Sequence, residues 1–250
     1  MAIIIKSPDE VELIRRSCWI VGKVLDEMNH YVRPGVTTKR LDQIAEEIIR
    51  SYGAVPSFLN YQGFPASICA SADECVIHGI PSTPQVLREG QIISVDVGAY
   101  LNGFHGDGAR TYAVGEVSEQ AHRLIEAARE AFYAGIAFAK AGNHLHQISA
   151  AVEQKAREYG CDVVRDFVGH GVGADLHEDP AIPNYKPIGR GPKLESGMVL
   201  AIEPMLAAGS AEVKVLEDGW TTVTRDGSLT SHYENTILIT DDGCEILTRI

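Results

Sequence analysis

The chain has no Cys-x-x-Cys pair, and its five cysteines (Cys18, Cys69, Cys75, Cys161, Cys244) are an odd number. That excludes a complete disulfide framework and predicts reduced thiols in a cytoplasmic protein. No apolar run approaches the ~20 residues that span a bilayer, so no membrane partner is expected. Residues 1–6 are too short for the apolar region of a signal peptide and run into acids. Positive charge is scarce: 22 Lys and Arg face 34 Asp and Glu, a net charge of −12. This excludes broad, sequence-independent binding to nucleic acid. A small basic patch (Arg15, Arg16, Lys23) reads as a solvated helix face rather than an RNA contact. No linker-like or low-complexity segment divides the 250 residues, so one domain is expected, large enough to bury a core without staples.

What the chain does have is a repeat. Glu89-Gly90-Gln91-Ile92-Ile93-Ser94-Val95-Asp96 and Ser196-Gly197-Met198-Val199-Leu200-Ala201-Ile202-Glu203 share a pattern at an offset of 107 residues. Each is an apolar strand ending in an acid, and an acid there is costly to bury without a positive partner. Other landmarks keep the offset: Gly35 and Gly142, Tyr52-Gly53 and Tyr159-Gly160, Leu87 and Leu194. Between them lie amphipathic stretches, with Leu41, Ile44, Ile48 and Tyr52 in the first and Leu145, Ile148, Val152, Ala156 and Tyr159 in the second. The differing apolar positions predict helices of slightly different length.

Ser7-Pro8-Asp9-Glu10 is a capping box with proline at the first helical position, opening a helix with Val11, Ile14, Cys18, Val21, Leu25 and Met28 inward. Ser118 caps another, with Leu124, Ile125, Ala128, Phe132 and Ile136 inward. Asn102-Gly103, Asp218-Gly219, Asp226-Gly227 and Asp242-Gly243 are hairpin signals. Helices precede antiparallel strands in each half, about 1–115 and 116–250. The expected fold is α+β with pseudo-two-fold symmetry: one continuous antiparallel sheet, helices on its outer face, and a cleft between halves.

Asp96 and Asp107 bracket the Asn102-Gly103 turn. A two-residue loop pairs Gly98 with Asp107 and Asp96 with Ala109, which makes the two acids diagonal neighbours on one face, roughly 7–8 Å apart. Carboxylates at that reach can touch a pair of cations about 3.5–4 Å apart. Gly98, Gly103, Gly106 and Gly108 surround them and are expected to admit a ligand close to the backbone. The second half adds Gly169-His170-Gly171-Val172-Gly173, His177, Glu203 before Pro204, and Glu234 within His232-Tyr233-Glu234-Asn235. The glycine spacing fits neither a phosphate-binding nor a dinucleotide-binding loop. Four carboxylates and one imidazole at one face point to a metal centre. An oxygen-rich set without thiolate suits Mn, Fe(II) or Co better than structural zinc.

The ordered set Asp96, Asp107, His170, Glu203 and Glu234, with His78-Gly79-Ile80-Pro81 and the Gly-His-Gly segment, resembles the type I methionine aminopeptidases in their short bacterial form, over essentially the whole chain. The resemblance implies the pita-bread fold across a single metallopeptidase domain, 1–250, and two divalent ions drawn from Co, Mn, Fe(II), Zn or Ni. It implies that Asp96 chelates one ion, His170 and Glu203 the other, and that Asp107 and Glu234 bridge them. Glu203 is expected to pass the proton from water to the leaving amine, and His177 to donate to the developing oxyanion. His78 is expected to bond the peptide backbone. The methionine pocket maps to Phe58, Tyr61, Phe64, Cys69, Leu176 and Trp220, with His78 and His177 at its edge. Apolar walls and a thiol suit a thioether. Phe58, Phe64 and Leu176 stand where relatives commonly carry Cys, Tyr and Phe. The implied activity is removal of N-terminal methionine before a small residue, by a monomer that binds peptide and nascent-chain N-termini and has room for a transient ribosome contact.

Two rivals remain at this point. A proline-specific aminopeptidase shares the ligand set, but such enzymes usually carry a substantial domain ahead of it, and here the first repeat's helix begins by Thr37. A non-catalytic relative that binds RNA or protein would not need all five ligands.

Overall fold

Helix α1 (Pro8–Tyr31) begins at Ser7, whose hydroxyl accepts from the Glu10 amide while the Glu10 carboxylate accepts from the Ser7 amide. Pro8 takes the first helical position, where no amide donor is needed. The six apolar residues expected inward are all buried. The computed structural model describes residues 2–249; Met1 and Ile250 lie outside the described residues. After α1 come α2 (Thr38–Ser51), β1 (Val55–Pro56), β2 (Ile68–Ala72), β3 (Cys75–Ile77), β4 (Ile92–Leu101) and β5 (Phe104–Ala113). The second half runs α3 (Glu119–Ile136), α4 (Leu145–Glu158), β6 (Asp162–Val163), β7 (Gly169–Gly171), β8 (Glu178–Ile182), β9 (Val199–Ile202) and β10 (Met205–Ala207). It closes with β11 (Val213–Val215), β12 (Thr222–Thr224), β13 (Thr230–His232), β14 (Asn235–Ile239) and β15 (Cys244–Ile246). Among the described residues, no helix is long and apolar enough to cross a membrane.

The repeat extends further than the sequence pattern reaches. Helices α2 and α4 are both 14 residues long at an offset of 107, which corrects the expected length difference. Every buried position of α4 matches one of α2: Thr38 with Leu145, Leu41 with Ile148, Asp42 with Ser149, Ala45 with Val152, Ile49 with Ala156; α2 buries Ile44 besides. What diverged is side-chain identity, which blurred the apolar pattern without moving the helix. Isolated bridges Thr37–Val86 and His144–Lys193 repeat at the same offset. Tyr52 is not on the buried face; it stacks edge-on against Trp19 at the surface. On α3, Leu124, Ala128 and Phe132 are buried, while Ile125 and Ile136 are half-buried. Each half has its own apolar core, one between α1, α2 and β4, the other between α3, α4, β9 and β14.

Among the described residues all strand pairs are antiparallel, but they form four sheets rather than the one continuous sheet expected. The largest are β15-β14-β9-β7-β8 and the group in which β4 pairs with β1, β2 and β5. The ladder joining β9 to β14 stops where the one joining β10 to β13 starts, at Glu203-Pro204 opposite Tyr233-Glu234. Pro204 has no amide to donate, so the ladder cannot run through it. The two halves meet at a seam where Ala109 and Glu234 exchange backbone hydrogen bonds of 2.9 and 3.3 Å. The Thr236 hydroxyl extends that seam by donating to the Asp107 carbonyl at 2.8 Å. Asn102-Gly103, Asp218-Gly219 and Asp242-Gly243 join paired strands; Asp226-Gly227 instead links β12 to β13, which pair with other partners.

Two of the glycines around the hairpin acids, Gly98 and Gly106, have a different use from the one expected. A side chain on Gly106 would strike the α1 backbone at Cys18, and one on Gly98 would strike Ser57 and Phe58. They let protein, rather than a ligand, pack close to the sheet.

Candidate metal centre

Register brings the acids together. Gly98 pairs with Asp107 and Asp96 with Ala109, so both hairpin acids lie on one face, as the two-residue loop requires. His170 pairs with Ala201 on β9, so Glu203, two residues on, points to the same side. The Ala109–Glu234 seam then sets Glu234 beside the hairpin. One oxygen or nitrogen from each of Asp107, His170 and Glu234 fits within a span of 4.8 Å. His170 Nε2 lies 3.8 Å from Asp107 Oδ2 and 3.5 Å from Glu203 Oε1. Asp96 and Glu203 line the same cavity, of about 330 Å³.

Burial makes this cluster expensive as it stands. It pushes the Asp96 carboxyl up to about 7. Burial and the neighbouring carboxyls push Asp107, Glu203 and Glu234 well above the usual carboxylate range. Asp96 Oδ1 and Asp107 Oδ1 are sealed from water without a hydrogen-bond partner among the described residues. His170 is pushed down to about 3, chiefly by burial, and stays neutral, the form that binds metal. Its Nδ1 lies 2.9 Å from the Gly171 carbonyl, which fixes Nε2 as the atom offered to the cluster. Crowded carboxylates, orphaned oxygens and a neutral imidazole are what a bound divalent cation would satisfy.

The residues expected to form the pocket are also brought together. Phe58, Phe64, Cys69 and Leu176 are buried in one apolar cluster, with Tyr61 and Trp220 packed against it. Phe64 and Trp220 meet edge to face at 5.2 Å. The pocket loop is anchored by buried Asp42 on α2, which accepts from the Ser67 and Ile68 amides and sets the start of β2, hence Cys69. His78 stands at the cavity rim with left-handed backbone (φ 58°), held because Gly79 lies against the Ala70 carbonyl where no side chain fits. Its ring is edge-on to Trp220 and Phe167, and burial, with His177 nearby, pushes it down to about 4. His177 is exposed; its ring lies 4.3 Å from that of His170, and its Nδ1 is 2.8 Å from the Tyr61 hydroxyl.

Six lining residues were given no role by the sequence: Gln62, Ile77, Asp166, Phe167, Val168 and His232. His232 is 2% exposed, and its Nε2 is 3.9 Å from Glu203 Oε2 and 3.8 Å from Glu234 Oε2. The signal for it was its spacing, two residues before Glu234 in extended chain, which turns both to one side.

Residues 12–241 match metallopeptidase family M24. The chain is 54% identical over 246 residues to a methionine aminopeptidase of Clostridium acetobutylicum, covering 98% of each. It is 50% identical to methionine aminopeptidase 1 of Bacillus subtilis, over 99% of this chain and all of the relative. The crystal structure of a methionine aminopeptidase from Thermotoga maritima superposes with a TM-score of 0.98 at 43% identity, covering both chains fully.

Proposed function

The chain belongs to metallopeptidase family M24, and we propose that it removes methionine from the N-termini of peptides and nascent proteins when a small residue follows. Its backbone is the pita-bread fold of that family. One observation carries the reading: the acid–imidazole cluster and the aromatic, thiol-bearing slot line a single cavity. A methionine side chain seated in that slot presents its own α-amine and first peptide bond to the acids.

Residues 1–250 act as one unit, since the cluster takes Asp96 and Asp107 from the first half and His170, Glu203 and Glu234 from the second. In this reading Asp96 would hold one divalent ion, His170 and Glu203 a second, and Asp107 and Glu234 would serve both. Mn, Fe(II), Co, Zn and Ni are the candidates. Such ions, when bound, would supply a polarised water as nucleophile and a fixed anchor for the α-amine. The protein does the rest. Glu203 takes the proton from water and returns it to the leaving amine. Neutral His177 has one N–H to give; with the Tyr61 hydroxyl donating to Nδ1, that N–H is on Nε2, free to donate to the developing oxyanion. His78 bonds the peptide beyond the scissile amide. Five free thiols fit a reducing cytoplasm, where the protein works as a monomer on chains leaving the ribosome, touching it only transiently.

Cleavage of Met-Ala-Ser against Ala-Pro-Ala, with Mn(II), Co(II) or Fe(II), tests this directly. Cleavage of Met-Ala-Ser alone is expected. Cleavage of only the proline peptide would make the chain a proline-specific exopeptidase, and no metal-dependent cleavage of either would favour a binding role.

A further inference from the structure

His232 is the buried group that this chemistry leaves unused. Its backbone is pinned: the Thr111 hydroxyl accepts from its amide at 2.9 Å and donates to its carbonyl at 2.9 Å. The next turn of chain is fixed as well, because Arg110 donates to the Glu234 carbonyl and to Asn235 Oδ1 and lies over the Tyr233 ring at 4.1 Å. The ring is therefore delivered to one place. There its Nε2 is sealed from water and has no hydrogen-bond partner among the described residues. A polar atom in that state is costly, and native structures rarely keep one without a use.

Its neighbours show the use. The distances to Glu203 Oε2 and Glu234 Oε2, 3.9 and 3.8 Å, are too long for hydrogen bonds. They match those of His170 Nε2 to Glu203 Oε1 and Asp107 Oδ2, 3.5 and 3.8 Å. Donors sharing one cation at bond lengths of about 2.0–2.2 Å stand about 3–4 Å apart. The Glu203 carboxylate thus lies between two imidazoles, one facing each oxygen. We propose that His232 Nε2 is a further metal ligand, reaching a cation held between Glu203 Oε2 and Glu234 Oε2, so that the centre carries two imidazoles rather than one. The inference rests on the reading of the acids as cation ligands. It follows that this centre favours nitrogen-preferring Co(II) over Mn(II) more than a one-imidazole centre does.

The test is spectroscopic and thermodynamic. In wild-type protein loaded with Mn(II), electron spin-echo modulation should count two imidazole nitrogens, and one in His232→Gln. Calorimetric titration of metal-free protein with Co(II) should show one class of site weakened about 10- to 100-fold in His232→Gln, with Mn(II) weakened less. A wild-type count of one nitrogen, or Co(II) affinity unchanged in the variant, would overturn the proposal while leaving the acids as ligands. Wild-type protein that binds neither ion more tightly than Asp107→Asn would remove the reading of the acids itself, and His232 with it. The nitrogen count needs no variant, so a misfolded substitution cannot obscure the answer.

Discussion

Residues 38–51 and 145–158 form helices of equal length, and every buried position of the second matches one of the first at an offset of 107, yet the acids that the two halves deliver sit in different surroundings. The first half brings Asp96 and Asp107 with no imidazole between them; Asp96 is half-buried, facing the cavity. The second half brings Glu203 and Glu234 with His170 and His232 on either side. Duplication therefore explains the frame and the two strand-end acids, but not the imidazole: β7, which carries His170, pairs with β9 as β2, which carries no histidine, pairs with β4. A repeat that doubles a scaffold need not double a chemistry. One end of this cluster is oxygen-only and the other nitrogen-bearing, so cations held at the two ends would differ in what they hold.

Asp107 is where this contrast is joined, since it is the first-half acid 3.8 Å from the second-half imidazole. Asp107→Asn should break the comparison outright. Hydrolysis of Met-Ala-Ser should fall by on the order of 10³-fold or more, with lower cation stoichiometry and unchanged circular dichroism. Wild-type rates in that variant would show that the halves do not share a cation. His177→Ala should sharpen the contrast instead. It should cost on the order of 10²- to 10³-fold in kcat while metal content, measured on the same sample, stays at the wild-type level. Loss of metal would move His177 from the reacting peptide into the ligand set.

The parts of this arrangement legible in the sequence are those set by period two and by turn chemistry. A two-residue Asn102-Gly103 loop fixes the partner of every residue on β4 and β5, so the diagonal of Asp96 and Asp107 follows from counting. The repeat was visible because glycines in left-handed turns, Gly35 with Gly142 and Gly90 with Gly197, hold their places while neighbours change. The break in the sheet was not legible, since it depends on which strand faces Pro204, a long-range choice. His232 was hidden for a related reason. It ends one ladder while Glu234 precedes the next, so their common side shows only if the chain stays extended across the gap. The packing role of Gly98 and Gly106 depends on where Ser57 and α1 lie, which local sequence does not encode.

The two ends should also part company with pH. Below its raised value of about 7, Asp96 keeps a proton that a cation must displace. The sign follows: in metal-free protein this carboxyl favours the fold at low pH, and that contribution is lost as pH rises through about 7, while affinity for cations rises over the same window. The imidazole of His170, pushed down to about 3, is already neutral there and releases nothing. Mn(II) affinity should therefore climb up to about tenfold per unit between about pH 6 and 8, with calorimetric proton release traceable to carboxyls. A flat profile would mean the acids are ionised before metal arrives. In Asp96→Asn the climb should shrink, and an unchanged slope would assign the proton to the nitrogen-bearing end.

The smallest effect is expected at the contact between the first half's Tyr61 and the second half's His177. The Tyr61 hydroxyl and His177 Nδ1 are 2.8 Å apart, and a hydroxyl bond of this kind contributes about 1 kcal/mol. Tyr61→Phe keeps the ring against the pocket and removes only that bond. It should lower kcat about fivefold with KM nearly unchanged, because the bond orients the donor rather than the methionine side chain. In a His177→Ala background the same substitution should have no further effect, since the group it orients is gone. If the fivefold loss persists there, Tyr61 acts through the pocket wall instead, and the halves are coupled by packing rather than by a hydrogen bond aimed at the reacting carbonyl.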